Sequence, residues 1–597
     1  MREYIAPTVV KVDPDENLTT SLWALEESHP KRPALAYREG AGFVDVTTAE
    51  LADRVRRLAA GFMALGVERG DRVAIFSPTQ LEFTLLDYAV WAAGGAGVTI
   101  YETSSAEQVE WIVGNSGVKV IVCASDELLA VHEAAAGRLG TVSHAFSAGS
   151  GGLDEIVAAG AAVTDEQVLE RARSVTQGDL ATLVYTSGTT GRPKGCMITH
   201  GNFVHVTRHA LGELSDVVRT GETTLMFLPL AHIFARIVQV ACVMNGMRIA
   251  YSTGIPNLTD ELAMTKPWFV FSVPRVFEKI YNGARQKAAD DGKGKIFDRA
   301  ADVAIKYSQG VTAGKVGFGT KALHGVFDKL VYGKLRAVFG GNLRYSVSGG
   351  AALGERLGHF FSGIGVTVLE GYGLTETTAV STYNSPNATR IGSVGRPAPG
   401  TGVRIADDGE VLIKGVGIFQ GYWQDPAASA EVLESDGWFH SGDIGELDAD
   451  GFLRITGRKK EIIVTAAGKN VAPAVLEDRI RAHPLVSQAM VVGDGQPFVA
   501  SLITIDPEAF EKWAADHGKT GGVGIHTEDP DLVAEIQKAI DDANGAVSRA
   551  ESVRKFAILP EDFTIEGGEL TPTLKVKRRL VEERFADAIA GLFGSGE

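Results

Sequence analysis

At 597 residues the chain is longer than one hydrophobic core supports, so two or more domains are expected. Its formal net charge of −16 excludes nucleic acid as the main partner, because a phosphate backbone selects a basic face, and it weakens purely electrostatic attachment to anionic lipid. The three cysteines, Cys123, Cys196 and Cys242, lack metal-ligand spacing, imply neither a zinc site nor a disulfide framework, and read as packing residues. The opening Met1-Arg-Glu-Tyr-Ile lacks the basic-then-apolar pattern of a signal peptide, which predicts a cytoplasmic protein.

From Arg32 onward strands and helices alternate. Ala34 to Tyr37 and Phe43 to Val46 read as short strands, Thr48 to Leu65 as an amphipathic helix with a Thr cap, and Arg72 to Phe76 as a buried strand. The most apolar window, Phe83 to Tyr101, contains Asp87 and the glycines Gly94, Gly95 and Gly97. It reads as a helix (Phe83 to Ala93), a turn and a strand (Ala96 to Tyr101) rather than a membrane span, so any membrane contact is expected to be peripheral, at the inner face. A helix from Ala106 to Asn115 and a strand from Lys119 to Cys123 continue the alternation, which predicts α/β layers with parallel strands.

Further on, Gly201 to Gly212 reads as helix, with strands at Thr224 to Pro229, Met247 to Tyr251 and Trp268 to Ser272, followed by a mostly helical segment from Arg275 to Val338. The strand Leu343 to Val347 runs into Ser348-Gly-Gly-Ala351, which puts glycines at a strand end, where ligands of open α/β sheets bind. From about Gly395 the texture changes to short strands and turns, suggesting a small antiparallel subdomain. After Lys460 a new alternation begins, with strands at Glu461 to Val464, Ser487 to Gly493 and Phe498 to Ile505 and a helix at Leu476 to Ala482, long enough for a separate domain. The charged run Gly457-Arg-Lys-Lys-Glu461 marks the expected boundary.

The stretch on which the rest depends is Tyr185-Thr-Ser-Gly-Thr-Thr-Gly-Arg-Pro-Lys-Gly195, following the apolar strand Ala181 to Tyr185. Gly188, Gly191 and Gly195 let backbone N–H groups turn toward an anion, Thr186, Ser187, Thr189 and Thr190 add hydroxyl donors, and Lys194 supplies positive charge, so each part suits a polyphosphate. It is not the Walker A pattern: Pro193 precedes the lysine and Gly195 stands where a Ser or Thr should bind magnesium. Glu370-Gly-Tyr-Gly-Leu-Thr-Glu376 places the Thr375 hydroxyl beside the Glu376 carboxylate, a hard oxygen ligand that suits Mg²⁺ bound with nucleotide phosphates. Trp438-Phe-His-Ser-Gly-Asp443 presents one carboxylate able to accept two hydroxyls, and Arg458 offers a guanidinium for oxygen ligands. Near the C-terminus, Leu570-Thr-Pro-Thr-Leu-Lys575-Val-Lys-Arg-Arg579 is basic.

In this order, these stretches resemble the adenylate-forming superfamily of acyl-CoA synthetases, firefly luciferase and peptide-synthetase adenylation domains, over about residues 30 to 590. The run from Asp436 to Glu477, with Gly468-Lys-Asn-Val-Ala-Pro473, is similar to the long-chain fatty acid–CoA ligases in particular. The resemblance implies an α/β fold: a large N-terminal domain (1–459) of layered α/β subdomains plus a small β-barrel-like subdomain, and a small mobile α+β C-terminal domain (460–597). It implies a reaction in which fatty acid, ATP and CoA yield acyl-CoA, AMP and diphosphate through an acyl-adenylate, with Mg²⁺ as cofactor; the alternative is a fatty acyl-AMP ligase that hands its adenylate to a carrier protein. By the same resemblance Thr186 to Thr190, Lys194, Gly349, Gly350, Ala351, Gly371, Tyr372, Gly373, Thr375, Asp443 and Arg458 hold the nucleotide, and Glu376 the metal. Lys575, Thr375 and His232, the last at the acyl pocket, are the catalytic set, with Lys460 as hinge. The family has a glycine before its catalytic lysine where this chain has Leu574, so Lys577 is the alternative to Lys575. The oligomeric state, monomer or homodimer, and the acyl chain length stay open.

Overall fold

The computed structural model describes residues 1–136, 142–186, 192–571 and 574–594. They divide into two compact units: one of residues 1–404, 412–441 and 447–453, the other of residues 405–411, 442–446 and 454–597.

The first unit is built on two large sheets. One has six strands in the order His144–Ser147, Val118–Cys123, Arg72–Phe76, Ala96–Ile100, Leu180–Thr186 and Lys194–Thr199. The runs Arg72–Phe76, Ala96–Ile100 and Val118–Cys123 are almost wholly buried and pair in parallel, as continuous apolar strands covered on both faces should. Ala74, Val98, Ile121 and Leu183 pack against Val109, Ile112 and Val113 of the helix Ala106–Ser116. That helix begins in a Ser105/Gln108 capping box, and Thr48–Ala64 begins in a Thr47/Glu50 capping box, so both are fixed by their first turns.

The last strand differs from the expected pattern. Lys194–Thr199 runs antiparallel to Leu180–Thr186 at the sheet edge, with Thr186 opposite Lys194, so a strand follows the glycine-rich stretch before the helix His200–Leu214 begins. The reason lies in Gly195, Cys196, Ile198 and Thr199, which are buried, Cys196 completely.

The second sheet has nine strands in the order Arg396–Pro397, Thr382–Tyr383, Thr367–Tyr372, Tyr345–Ser348, Phe269–Ser272, Thr223–Met226, Arg248–Tyr251, Pro33–Glu39 and Gly42–Thr47. Its centre is parallel and its two margins antiparallel. The helices Pro274–Asp290 and Gly294–Thr312 cover it through Phe277, Tyr281 and Phe297, which meet Phe360 and Phe361 in one core. A five-stranded sheet follows the order Glu3–Ile5, Thr401–Ile405, Glu410–Gly415, Phe439–Leu447 and Leu453–Arg458.

The second unit has a three-stranded sheet, Val486–Val492, Val499–Ile505 and Val553–Ile558, with one antiparallel and one parallel pairing. Alternate residues serve two cores. Ala489, Val491 and Ile503 face the helices Pro473–Arg481 and Pro530–Asn544, while Met490, Val492 and Leu502 pack with Phe563, Val581 and Leu592. No helix among the described residues is long and apolar enough to cross a membrane.

Candidate active site

In the first unit a cation and a carboxylate flank one phenol. Lys194 opens the strand Lys194–Thr199, and its Nζ lies 4.9 Å from the centroid of the Tyr422 ring. The Tyr422 hydroxyl donates to Glu376 Oε1 at 2.8 Å. Burial first, and then the Glu376 charge, push the Tyr422 phenol far above its ordinary value, so it stays a donor. The backbone fixes this arrangement: Met197 N–H donates to Gly421 O at 3.0 Å, Trp423 N–H to Gly195 O at 2.7 Å, and Phe419 N–H to Glu376 O at 2.9 Å. Residues 419–423 are thus tied to both the edge strand and the Glu376 turn. Beside them Arg192 lies over the Trp111 ring at 4.7 Å, and the Trp111 indole donates to Pro193 O at 2.8 Å.

The other predicted nucleotide contacts lie at the carboxyl ends of neighbouring strands. Gly349, Gly350 and Ala351 follow Tyr345–Ser348, and Gly371 and Tyr372 end Thr367–Tyr372, the strand beside it. A Cβ on Gly349 would meet the Phe234 ring at 3.3 Å, and one on Gly373 would sit 2.2 Å from Ala379 O, so the turn closes only with glycine at 373. After Gly373 the chain makes the tight turn Thr375–Thr377, in which Thr375 is buried and Thr378 and Ala379 take φ of +54° and +67°. His232 caps the helix Ile233–Met244, its Nδ1 accepting from Phe234 N–H at 3.2 Å; that helix start presents Phe234 to Gly349. Ser187, Gly188, Thr189 and Thr190 lie outside the described residues.

The second unit holds the remaining predicted residues. Asp443 is buried and accepts from Arg458 Nε at 2.9 Å. Lys459, next to the predicted hinge Lys460, is engaged by Asp408 and Glu410 at 2.6 and 3.0 Å, while Lys460 is exposed. Leu574 and Lys575 are exposed, and Lys575 pairs with Thr571 through Thr571 N–H donating to Lys575 O at 2.8 Å and Lys575 N–H to Thr571 Oγ1 at 3.0 Å. Leu574, where the resembling family has glycine, takes φ +61°, so the backbone keeps the left-handed step without a glycine. Although the residue as a whole is exposed, desolvation at its ammonium tip, and after it the Arg458 guanidinium, hold Lys575 below the ordinary lysine value against the opposing pull of Asp443 and Glu461. Lys577 instead caps the helix Arg578–Arg584, its N–H on Glu569 O at 2.7 Å. Glu477 is structural, holding Arg578 at 2.6 Å and Val491 N–H at 2.7 Å.

Sequence reasoning missed Tyr422, Phe234 and the Arg192–Trp111 pair. The cluster Phe419 to Trp423 offered only an aromatic signal, with no motif to say which chain segment it would join.

Residues 22–423 match the model of the AMP-binding enzyme family, and residues 460–597 that of the AMP-binding enzyme C-terminal domain. The chain is 49% identical over 598 residues to the long-chain-fatty-acid–CoA ligase FadD15 of Mycobacterium bovis, across 99% of this chain and 100% of that protein. It is 30% identical to the peroxisomal long chain acyl-CoA synthetase 7 of Arabidopsis thaliana, across 92% of this chain and 81% of that one. Among solved structures, the adenylation domain of a carboxylate reductase from Mycobacterium chelonae is similar with a TM-score of 0.76 at 22% identity, over 98% of this chain and 92% of that one. That likeness speaks for the fold alone: a large N-terminal and a small C-terminal domain with mixed α/β sheets. On the family match and the full-length identity, the chain belongs to the AMP-binding enzyme family.

Proposed function

We propose that the protein is an ATP-dependent long-chain fatty acid–CoA ligase. The observation that carries this reading is the 49% identity, end to end, to a relative named for that activity. In the first step a fatty carboxylate oxygen bonds to the α-phosphorus of ATP and the bond to diphosphate breaks. In the second the CoA sulfur bonds to the acyl carbon, the thiol proton is released and AMP leaves. The first step gathers two anions, so catalysis rests on positioning and positive charge, with no enzyme nucleophile required.

Lys194 supplies such charge at the sheet edge, and the tied segment 419–423 holds its neighbour Glu376 at a fixed height. Glu376 fits a magnesium ion: it is a hard carboxylate with one oxygen steadied by Tyr422, and magnesium takes few protein ligands, filling its shell with phosphate and water oxygens. Bound there, the ion would neutralise charge on the phosphates. Gly349 to Ala351 are assigned to the adenine, Asp443 and Arg458 to the ribose, Thr375 to the α-phosphate, and His232 with Phe234 to the acyl entrance. Lys575 is assigned to adenylation, a reading supported by the charge environment it shares with Asp443 and Arg458, and Lys460 to the hinge.

The test is mass spectrometry of products from the full chain, MgATP and a mixture of short- to long-chain acids, with and without CoA. Acyl-CoA and AMP from the long acids, only when CoA is present, is the expected result. Acyl-AMP persisting despite CoA would overturn it in favour of carrier-dependent transfer. In the Lys575→Ala variant adenylation should fall by about a hundredfold or more, while a supplied acyl-adenylate is still converted with CoA; equal loss of both steps would remove Lys575 from its assigned role.

A further inference from the structure

The helix Phe318–Phe327, continued by the π-helical stretch Asp328–Tyr332, belongs to the helical segment of the first unit, and it buries none of its own residues. Its inner edge is firmly attached. The His324 ring stacks on Tyr307 at 3.8 Å between centroids, its Nε2 lies 2.7 Å from Gly363 O, and the buried Tyr332 donates to Ala300 O at 2.7 Å. The outer edge is apolar and uncovered: Phe318 is 89% exposed, Leu323 41%, Val326 52% and Leu330 57%. Leu323, Val326 and Leu330 recur at spacings of three and four, so they form one stripe along the helix. Folded proteins rarely leave such a continuous apolar strip in water without a use for it.

The charges around the strip say what covers it. Lys315, Lys321, Lys329 and Lys334 are all exposed along the same stretch of chain, and Asp328, the one acid between residues 311 and 338, is engaged by Arg336 at 2.7 Å. A basic face with a central apolar stripe therefore stands out on a chain whose net charge is −16. A second copy of the chain fits it poorly, because a two-fold contact would bring these lysines against their own counterparts. A bilayer rich in anionic lipid fits both features, the stripe entering between headgroups and the lysines meeting phosphates.

We propose that the face formed by Phe318, Leu323, Val326, Leu330 and the flanking lysines docks the protein on an anionic membrane surface. Repulsion from the rest of the chain would then orient the molecule, leaving this face as the point of contact. The proposal does not rest on the ligase reading, since docking needs neither ATP nor CoA.

The test is co-sedimentation of the full chain with vesicles of equimolar phosphatidylglycerol and phosphatidylcholine, against vesicles of phosphatidylcholine alone. Binding should be strong on the mixed vesicles, weak on the neutral ones, and reduced by added salt. Each lysine near an anionic surface is worth about fivefold in partitioning, so K321E/K329E/K334E should bind about a hundredfold less tightly or worse. L323S/V326S/L330S should lose binding to both kinds of vesicle. In a Phe318→Trp variant, whose exposed site tolerates the change, the added indole emission should shift to the blue on mixed vesicles. Wild-type protein left in the supernatant, variants that sediment as the wild type does, or an unshifted indole would each overturn the proposal. So would light scattering that finds a dimer lost in the same variants, which would give the face to a second copy.

Discussion

Asp87 and Arg236 form an ion pair with no exposure of either side chain, and removing one partner should be among the most damaging single changes in the first unit. Arg236 Nη2 and Nε donate to the two Asp87 oxygens at 2.6 and 3.0 Å, Nη1 donates to Thr182 Oγ1 at 2.6 Å, and the guanidinium lies over the Trp91 ring at 5.6 Å. Gln239 adds a donor to Asp87 at 3.1 Å. Asp87 sits on the helix Leu81–Ala92 and Arg236 on Ile233–Met244, the helix whose start carries His232 and Phe234. Asp87→Ala leaves a guanidinium buried with no counter-charge, which typically costs about 3–5 kcal/mol. At a urea slope of about 3 kcal/mol per molar, the unfolding midpoint followed by far-UV circular dichroism should fall by roughly 1 M or more. Replacing both partners by apolar residues, as in D87L/R236M, removes the stranded charge. Thr182 keeps its bond to Gly97 O at 2.7 Å, and the double variant should recover most of the loss. A shift below about 0.3 M for Asp87→Ala, or a double variant no more stable than the single, would refute this account of the pair.

Gly373→Ala places a methyl group 2.2 Å from Ala379 O in a turn already holding two left-handed residues; diphosphate exchange should fall by about tenfold or more, and an unchanged rate would mean that this turn does not position the reacting phosphates. Tyr422→Phe deletes the 2.8 Å donor to a charged carboxylate, a bond worth about 1.5–3 kcal/mol, so the magnesium concentration for half-maximal activity should change by about tenfold while the fold is kept; no change in that titration would separate Glu376 from the metal. His200 is buried, and burial lowers it from its ordinary value to about 3, so the unfolded chain takes up a proton that the folded chain refuses. Stability should therefore be lost as pH falls from about 6.5 toward 3, at up to about 1.4 kcal/mol per pH unit from this one group. Urea titrations of His200→Leu should show a shallower acid limb than the wild type; parallel limbs would contradict the assignment.

Much of the architecture was legible because it is local. Arg72 to Phe76 and Ala96 to Ile100 are continuous apolar runs that have few alternatives to a buried parallel strand, and Thr47 with Glu50 announces the helix that follows. The strand Lys194–Thr199 was not legible. It begins with a charge and a glycine, and its burial comes from pairing back on Leu180–Thr186 and from the bridge between Cys196 and Tyr422. Tyr422 itself escaped notice for the same reason: only the fold brings residues 419–423 to residue 376, so no spacing along the chain encodes the contact. Lys194, Glu376, Asp443, Arg458 and Lys575 were nominated by motif. Their sorting into one group round Tyr422 and another round Asp443 came from the structure. The apolar stripe at Leu323, Val326 and Leu330 has the periodicity of any core-facing helix, and sequence cannot say that this one faces outward.

The left-handed Leu574 has a consequence for how the lysine beside it is presented. A leucine in that conformation is strained by about 1 kcal/mol or more relative to glycine. A glycine, however, would surrender about as much on folding, because its unfolded chain wanders more widely. The two terms nearly cancel, so Leu574→Gly should leave overall stability close to unchanged. What the leucine alters is the number of shapes open to the backbone there: branched and bulky, it narrows them, so Lys575, the lysine proposed for adenylation, has less wandering left to suppress.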